Sequence, residues 1–105
     1  MNRETLKALR GSIKKWEKIV AGTGEDDGCN NCPLCDLFFN KTGSCFGCPV
    51  MDKTGRDECV GTPYGAWRWT HEDNFPLTAD TPEQKTAARR ELKFLKSLLP
   101  KDARK

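Results

Sequence analysis

The sequence predicts a small α-rich, metal-stapled domain: two terminal amphipathic helices around a loop-rich cysteine centre. Three observations lead there. At 105 residues, with 36% hydrophobic and 31% charged side chains, the chain has room for one modest core and no second one. Apolar residues near both ends recur at steps of three and four, the period of one face of a helix. All six cysteines lie between positions 29 and 59, in a centre otherwise poor in apolar side chains. A chain this small, with so little to bury, needs a bridge, a metal or a partner to hold its fold. The expected layout is one metal-binding domain over 1–105, with an N-terminal helix over 1–21, a cysteine-rich metal-binding centre over 29–60 and a C-terminal helix over 81–100.

In the first helix Leu6, Leu9, Ile13, Trp16 and Val20 fall within about 80° of arc at 100° per residue. Arg3, Lys7, Arg10, Lys14 and Lys18 occupy a second narrow arc beside it. Gly22 and Gly24 end the helix, and GTGEDDGCNN reads as a loop. After the CPLC turn, Asp36 to Asn40 is expected as one helical turn or a short strand, broken by KTGS. PVMDKTG reads as another single turn. Thr62-Pro63 starts a short helix over PYGAWRWTHE, with threonine as cap and proline at the first helical position. That helix would present Tyr64 and Trp67, and with them His71, along one side. NFPLTADTP is a loop. The last helix opens on Thr81-Pro82-Glu83-Gln84, a capping-box spacing with proline in the first turn. Ala88, Leu92, Leu95 and Leu99 make its apolar stripe, widened by Ala87, Phe94 and Leu98. Lys85, Arg89, Lys93 and Lys96 lie beside that stripe, and Pro100 stops the helix.

The cysteines run Cys29-x2-Cys32-x2-Cys35-x9-Cys45-x2-Cys48-x10-Cys59. Two CxxC pairs nine residues apart suit a tetrahedral metal site, because each turn aims two sulfurs at one ion and the loop brings the second pair opposite. Cys32, Cys35, Cys45 and Cys48 are therefore the expected ligands of a structural Zn²⁺. Six thiols are two more than one zinc requires. The C-x2-C-x2-C run and the two Cys-Pro steps also occur in iron–sulfur ligation, so a [4Fe–4S] cluster is the alternative. The full ferredoxin run, with its further Cys-Pro three residues on, is absent. Disulfides and thioredoxin-like redox chemistry rank below both, the first for want of an oxidising compartment and the second for want of a βαβ context. On spacing alone Cys59 stays open as a ligand, and Cys29 reads as a spare thiol.

CPLC, then CFGCPV, a TG turn, a lone cysteine and GTPYGAW resemble a family of short bacteriophage and prophage proteins of no established activity. The matching positions are Cys32, Cys35, Cys45, Cys48, Pro49, Thr54, Gly55, Cys59, Thr62, Pro63, Tyr64 and Trp67, within a similarity over roughly residues 13–67 and a weaker echo in FLKSLLP. The resemblance includes Cys59 among the ligand candidates, leaves Cys29 out, and implies a viral or host-cytosolic setting.

Charge is unevenly distributed. Residues 1–20 carry six Lys/Arg against two acids and residues 82–105 eight against three, whereas 21–81 carry four against ten. Packed antiparallel by their apolar faces, the terminal helices would share a basic surface of about eight to nine charges, enough to contact nucleic-acid phosphates. The competing reading is a solvated helix face, since the acidic centre repels phosphate and the isoelectric point of 8.6 falls below that of dedicated binders. Arg68 and Trp69 are the alternative anchors, for bases or for a host protein. Tyr64 and Trp67 read as core beside the metal, and His71, the only histidine, as a helix-end residue. No nucleophile–base pair, phosphate loop or open metal site is evident, so no catalysis is expected. With Met1 read as the native start, the absence of a signal-like run or a stretch of about twenty apolar residues points to a cytosolic protein with no membrane partner.

Overall fold

The computed structural model describes residues 3–38, 62–71 and 76–100. The first helix, α1, spans Arg3–Ala21, with Glu4 in its first turn and Lys18 in its last, each complementing the helix dipole. It ends where the sequence predicts. Gly22 adopts φ +83°, a left-handed conformation that costs a side chain with a Cβ but not glycine. The amides of Thr23 and Gly24 then both donate to the Lys18 carbonyl, at 2.9 and 3.0 Å, closing the helix end.

A 3-10 turn over Gly28–Asn31 leads into α2, Pro33–Leu37, which settles the start of the DLFF stretch as helix rather than strand. The helix α3 covers Pro63–Trp69 behind its Thr62 cap, stopping short of the expected His71-Glu72 end. The helix α4 covers Pro82–Ser97 within the predicted 81–100. Its capping box is complete: Thr81 Oγ1 accepts from the Gln84 amide at 3.1 Å, and Gln84 Oε1 accepts from the Thr81 amide at 3.0 Å. The expected turn at PVMDKTG lies outside the described residues, as do Cys45, Cys48 and Cys59.

The two terminal helices pack on each other, with α2 against α1 and α3 against α4. The buried face of α1 is made by Thr5, Ala8, Leu9, Ser12, Ile13, Trp16 and Ile19, while Leu6 and Val20 are only half-buried. The stripe is therefore turned by about 60° from the predicted one at 100° per residue. Its new edge joins the small Thr5, Ala8 and Ser12, beside which neighbouring segments can approach closely, to the fully buried Ile19. Arg3, Lys7, Arg10, Lys14 and Lys18 consequently lie opposite the buried face, all exposed, rather than beside it. On α4 the buried positions are Ala87, Ala88, Glu91 and Leu95, with Leu92, Phe94, Leu98 and Leu99 half-buried around them.

Three aromatic rings centre the core. Trp16 meets Trp67 edge-on at 5.1 Å and 84°, and Tyr64 at 6.0 Å and 86°, the T-shaped geometry that ring quadrupoles favour. Leu77 and Ala79, in the stretch expected to be loop, are buried with them. The orientation of α4 departs from the antiparallel expectation. Lys96, in its last turn, approaches Glu17 near the C-terminal end of α1 at 4.0 Å, so the two C-terminal ends lie together. The Cα radius of gyration is 13.0 Å, the value expected of a compact domain of this length.

Gly11 is the close-approach point of α1 and α2. A Cβ placed there would stand 3.0 Å from Pro33 Cγ and 3.2 Å from Pro33 Cβ. Substituting Gly11→Val is expected to push α2 off α1 and to lower stability in urea unfolding by about 1–3 kcal/mol.

Candidate metal centre and its buried polar cluster

The CPLC turn is built as a helix start. Pro33 occupies the first position of α2, where its missing N–H is not needed, and Cys32 is the cap. Cys32 Sγ accepts from the Cys35 amide at 3.3 Å. Both sulfurs therefore issue from one short turn, half-buried and pressed against α1 at Gly11. The Cys32 thiol is lowered from 9.0 to about 6, first by a hydrogen bond from the Cys35 side chain. Burial opposes this shift, while the Cys35 amide, Lys15 and Ser12 assist it. The shift favours the Cys32 thiolate, the form that binds metals. Among the described residues no group of three or more His, Cys, Asp or Glu stands close enough together to hold an ion. The structure places Cys32 and Cys35 side by side, and the other expected ligands lie outside the described residues.

Behind this turn sits a charge cluster that sequence reasoning missed. Asp26 is fully buried. Its Oδ1 accepts from Lys15 Nζ at 2.7 Å and from the Gly28 amide at 3.0 Å, and its Oδ2 accepts from Trp67 Nε1 at 3.0 Å. Its backbone exchanges two hydrogen bonds with Leu77, at 2.7 and 2.8 Å, as an isolated antiparallel bridge. One residue in a loop thereby joins α1, α3 and the segment before α4. Lys15, with only a tenth of its side chain exposed, also lies 5.5 Å from the Trp16 ring centre, so its charge is doubly engaged.

Glu91 faces the same cluster from α4. It is buried, and its Oε1 has no hydrogen-bond partner; the buried Ser12 Oγ on α1 has none apart from the Cys32 sulfur it approaches. Burial, with Asp26 and Cys32 adding negative charge nearby, pushes the Glu91 carboxyl up from 4.5 to about 8 against the pull of Lys15. Glu91 therefore stays protonated at neutral pH. A signal for these residues did exist: Glu91 is three residues from Ala88 and four from Leu95, and Ser12 three from Leu9 and four from Trp16, both on the apolar faces. Nothing in GEDDG distinguishes Asp26 from Asp27.

The remaining candidates are spread over the surface. Lys85, Arg89, Lys93 and Lys96 are exposed on α4, and Arg68 and Trp69 are exposed at the end of α3, with Trp69 91% accessible. His71 is engaged by backbone: Nε2 lies 2.8 Å from the Thr78 carbonyl and Nδ1 2.9 Å from that of Trp67. Tyr64 and Trp67 are core, as the sequence indicates.

Replacing Asp26 with alanine strands the Lys15 ammonium and the Trp67 indole N–H, and a loss of about 3–5 kcal/mol is expected by denaturant titration. Glu91 makes stability depend on pH. The unfolded chain gives up this proton near 4.5 and the folded chain near 8, so the contribution is intact below 4.5 and declines between the two values. The decline is about 1.4 kcal/mol per pH unit. Melting curves of Glu91→Gln should lack that slope and exceed the parent at pH 8. No family model, curated protein or solved structure matches the chain.

Proposed function

We propose that the chain is a small, non-catalytic, phage-related metal-binding protein. A structural zinc ion on four thiolates holds its cysteine-rich centre to the helices, and the assembled surface binds nucleic acid or a host protein. Cys32 and Cys35 supply one half of the site, Cys45 and Cys48 the other, with Cys59 as the competing ligand. The observation that supports this reading is the CPLC turn, where the Cys35 amide donates to a Cys32 sulfur whose thiol is shifted towards the thiolate. Amide-to-sulfur hydrogen bonding and a lowered thiol pKa both favour the deprotonated sulfur that a cation binds. Zinc on four such ligands contributes about 10 kcal/mol of folding free energy at neutral pH, well above what a core this size supplies. The adjoining C-x2-C-x2-C run keeps a [4Fe–4S] cluster with a redox or sensing role as the other assignment. Among the described residues no helix is long and apolar enough to cross a membrane. The proposed setting is the cytosol, that of the host cell if the chain is phage-encoded.

Metal analysis of anaerobically purified protein decides the assignment. About one zinc per chain in a colourless sample supports the structural site, whereas brown protein containing iron and sulfide supports the cluster. Cys32→Ser and Cys35→Ser should each lose the metal, and chelation of the parent should abolish cooperative unfolding. A fully folded chain free of any metal would overturn the proposal.

A further inference from the structure

One open groove in the described structure is lined by charge. Gly11, Lys14, Lys15 and Lys18 of α1 form one wall, and Gly24, Glu25, Asn31 and Pro33 the other, around about 330 Å³. The second wall is fixed. The Asn31 side chain accepts from the Asp27 amide and donates to the Glu25 carbonyl, both at 2.9 Å, pinning the 25–31 loop. Lys15 is held at the floor by Asp26, while Lys14 and Lys18 stand exposed at the rim. Glu25 is the only acid in the lining.

The groove does not stand alone. Arg3, Lys7, Arg10, Lys14 and Lys18 follow one another at steps of three and four along the exposed side of α1. At 1.5 Å per residue this line is about 22 Å long, and it runs into the groove at its C-terminal end. Glu17, one of two acids on the helix, is drawn towards Lys96 rather than into the line. A small anion would use one or two of these charges. A linear polyanion can engage all of them, and a track that continues into a groove suits such a ligand.

We infer that the α1 stripe and the groove between α1 and the 24–33 segment form a nucleic-acid site that grips the phosphodiester backbone without reading sequence. Lys14 and Lys18 flank the phosphate seated in the groove, and Arg3, Lys7 and Arg10 contact those that follow. Lys15, neutralised by Asp26, positions the wall and makes no direct contact. The inference rests on the reading of the chain as a binding protein and names its partner; α4 carries as many exposed cations, and the groove beside Lys14 and Lys18 is what favours α1.

The test is a fluorescence-anisotropy titration of the full chain, with its metal, against a short labelled oligonucleotide of mixed sequence. Affinity should fall steeply between about 50 and 200 mM salt, with a slope equivalent to roughly three to five phosphates. The paired reversal Lys14→Glu, Lys18→Glu should weaken binding by about tenfold or more, and Lys85→Glu, Lys93→Glu by less than about threefold. Equal losses for the two pairs, equally tight binding of polyglutamate, or no binding at low salt would each overturn the site. Bound metal is measured on the same samples. Metal-loaded protein that ignores the oligonucleotide removes the groove and leaves the zinc proposal standing; metal-free protein that binds it with the predicted pattern does the reverse.

Discussion

The buried carboxylate of Asp26 is the constraint on which the described architecture depends. A charge without solvent must be matched by donors in fixed positions, and here the donors come from elements far apart in the chain: Lys15 on α1, Trp67 on α3 and the Gly28 amide. Trp67 is thereby set against Trp16, and the Asp26 backbone draws Leu77 into the core. An apolar contact tolerates sliding. A three-donor carboxylate does not, so this loop residue sets the register among segments whose apolar side chains meet in one core. Lys15, immobilised by the same pair, also helps hold Cys32 as a thiolate, so the fold's internal electrostatics reach the candidate ligands.

Helix positions were legible because their signals are local. The Thr81 capping box, the Thr62-Pro63 start and Gly22 at its left-handed turn act within a few residues of themselves and were read correctly. The rotation of α1 was legible only in Ile19, which the predicted stripe passes over; Ala8, Ser12 and Thr5 carry little hydrophobic weight, yet their smallness is what neighbouring segments exploit. Leu77 looked like part of a proline-bounded loop because its pairing partner stands some fifty residues earlier. The exposure of the basic stripe could be read from periodicity, but the groove beside Lys14 and Lys18 exists only because the 24–33 segment folds back across α1. For the candidate ligands, sequence singled out Cys32 and Cys35, which share one short turn, and could not reveal the charges packed behind them.

Glu91 and Ser12 are less economical features. An apolar residue at either place would bury more oil, and a protonated carboxyl with one unpartnered oxygen gains little for the fold. Both nonetheless stand beside Cys32, whose thiolate contributes to the raised Glu91 carboxyl and is itself assisted by Ser12. Departures from apolar patterning of this kind concentrate where a chain does something besides fold. A neutral acid there adds no further negative charge to those of Asp26 and Cys32.

The notch that Gly11 leaves for Pro33 imposes a phase on α1. Each residue inserted or deleted between Gly11 and Trp16 would swing the notch by 100° around the axis relative to the aromatic cluster, carrying the thiolate turn off its seat. Residues ahead of Gly11 can be added without that penalty. The interval from 11 to 16 is in effect a fixed ruler between the chain's oil and its sulfur.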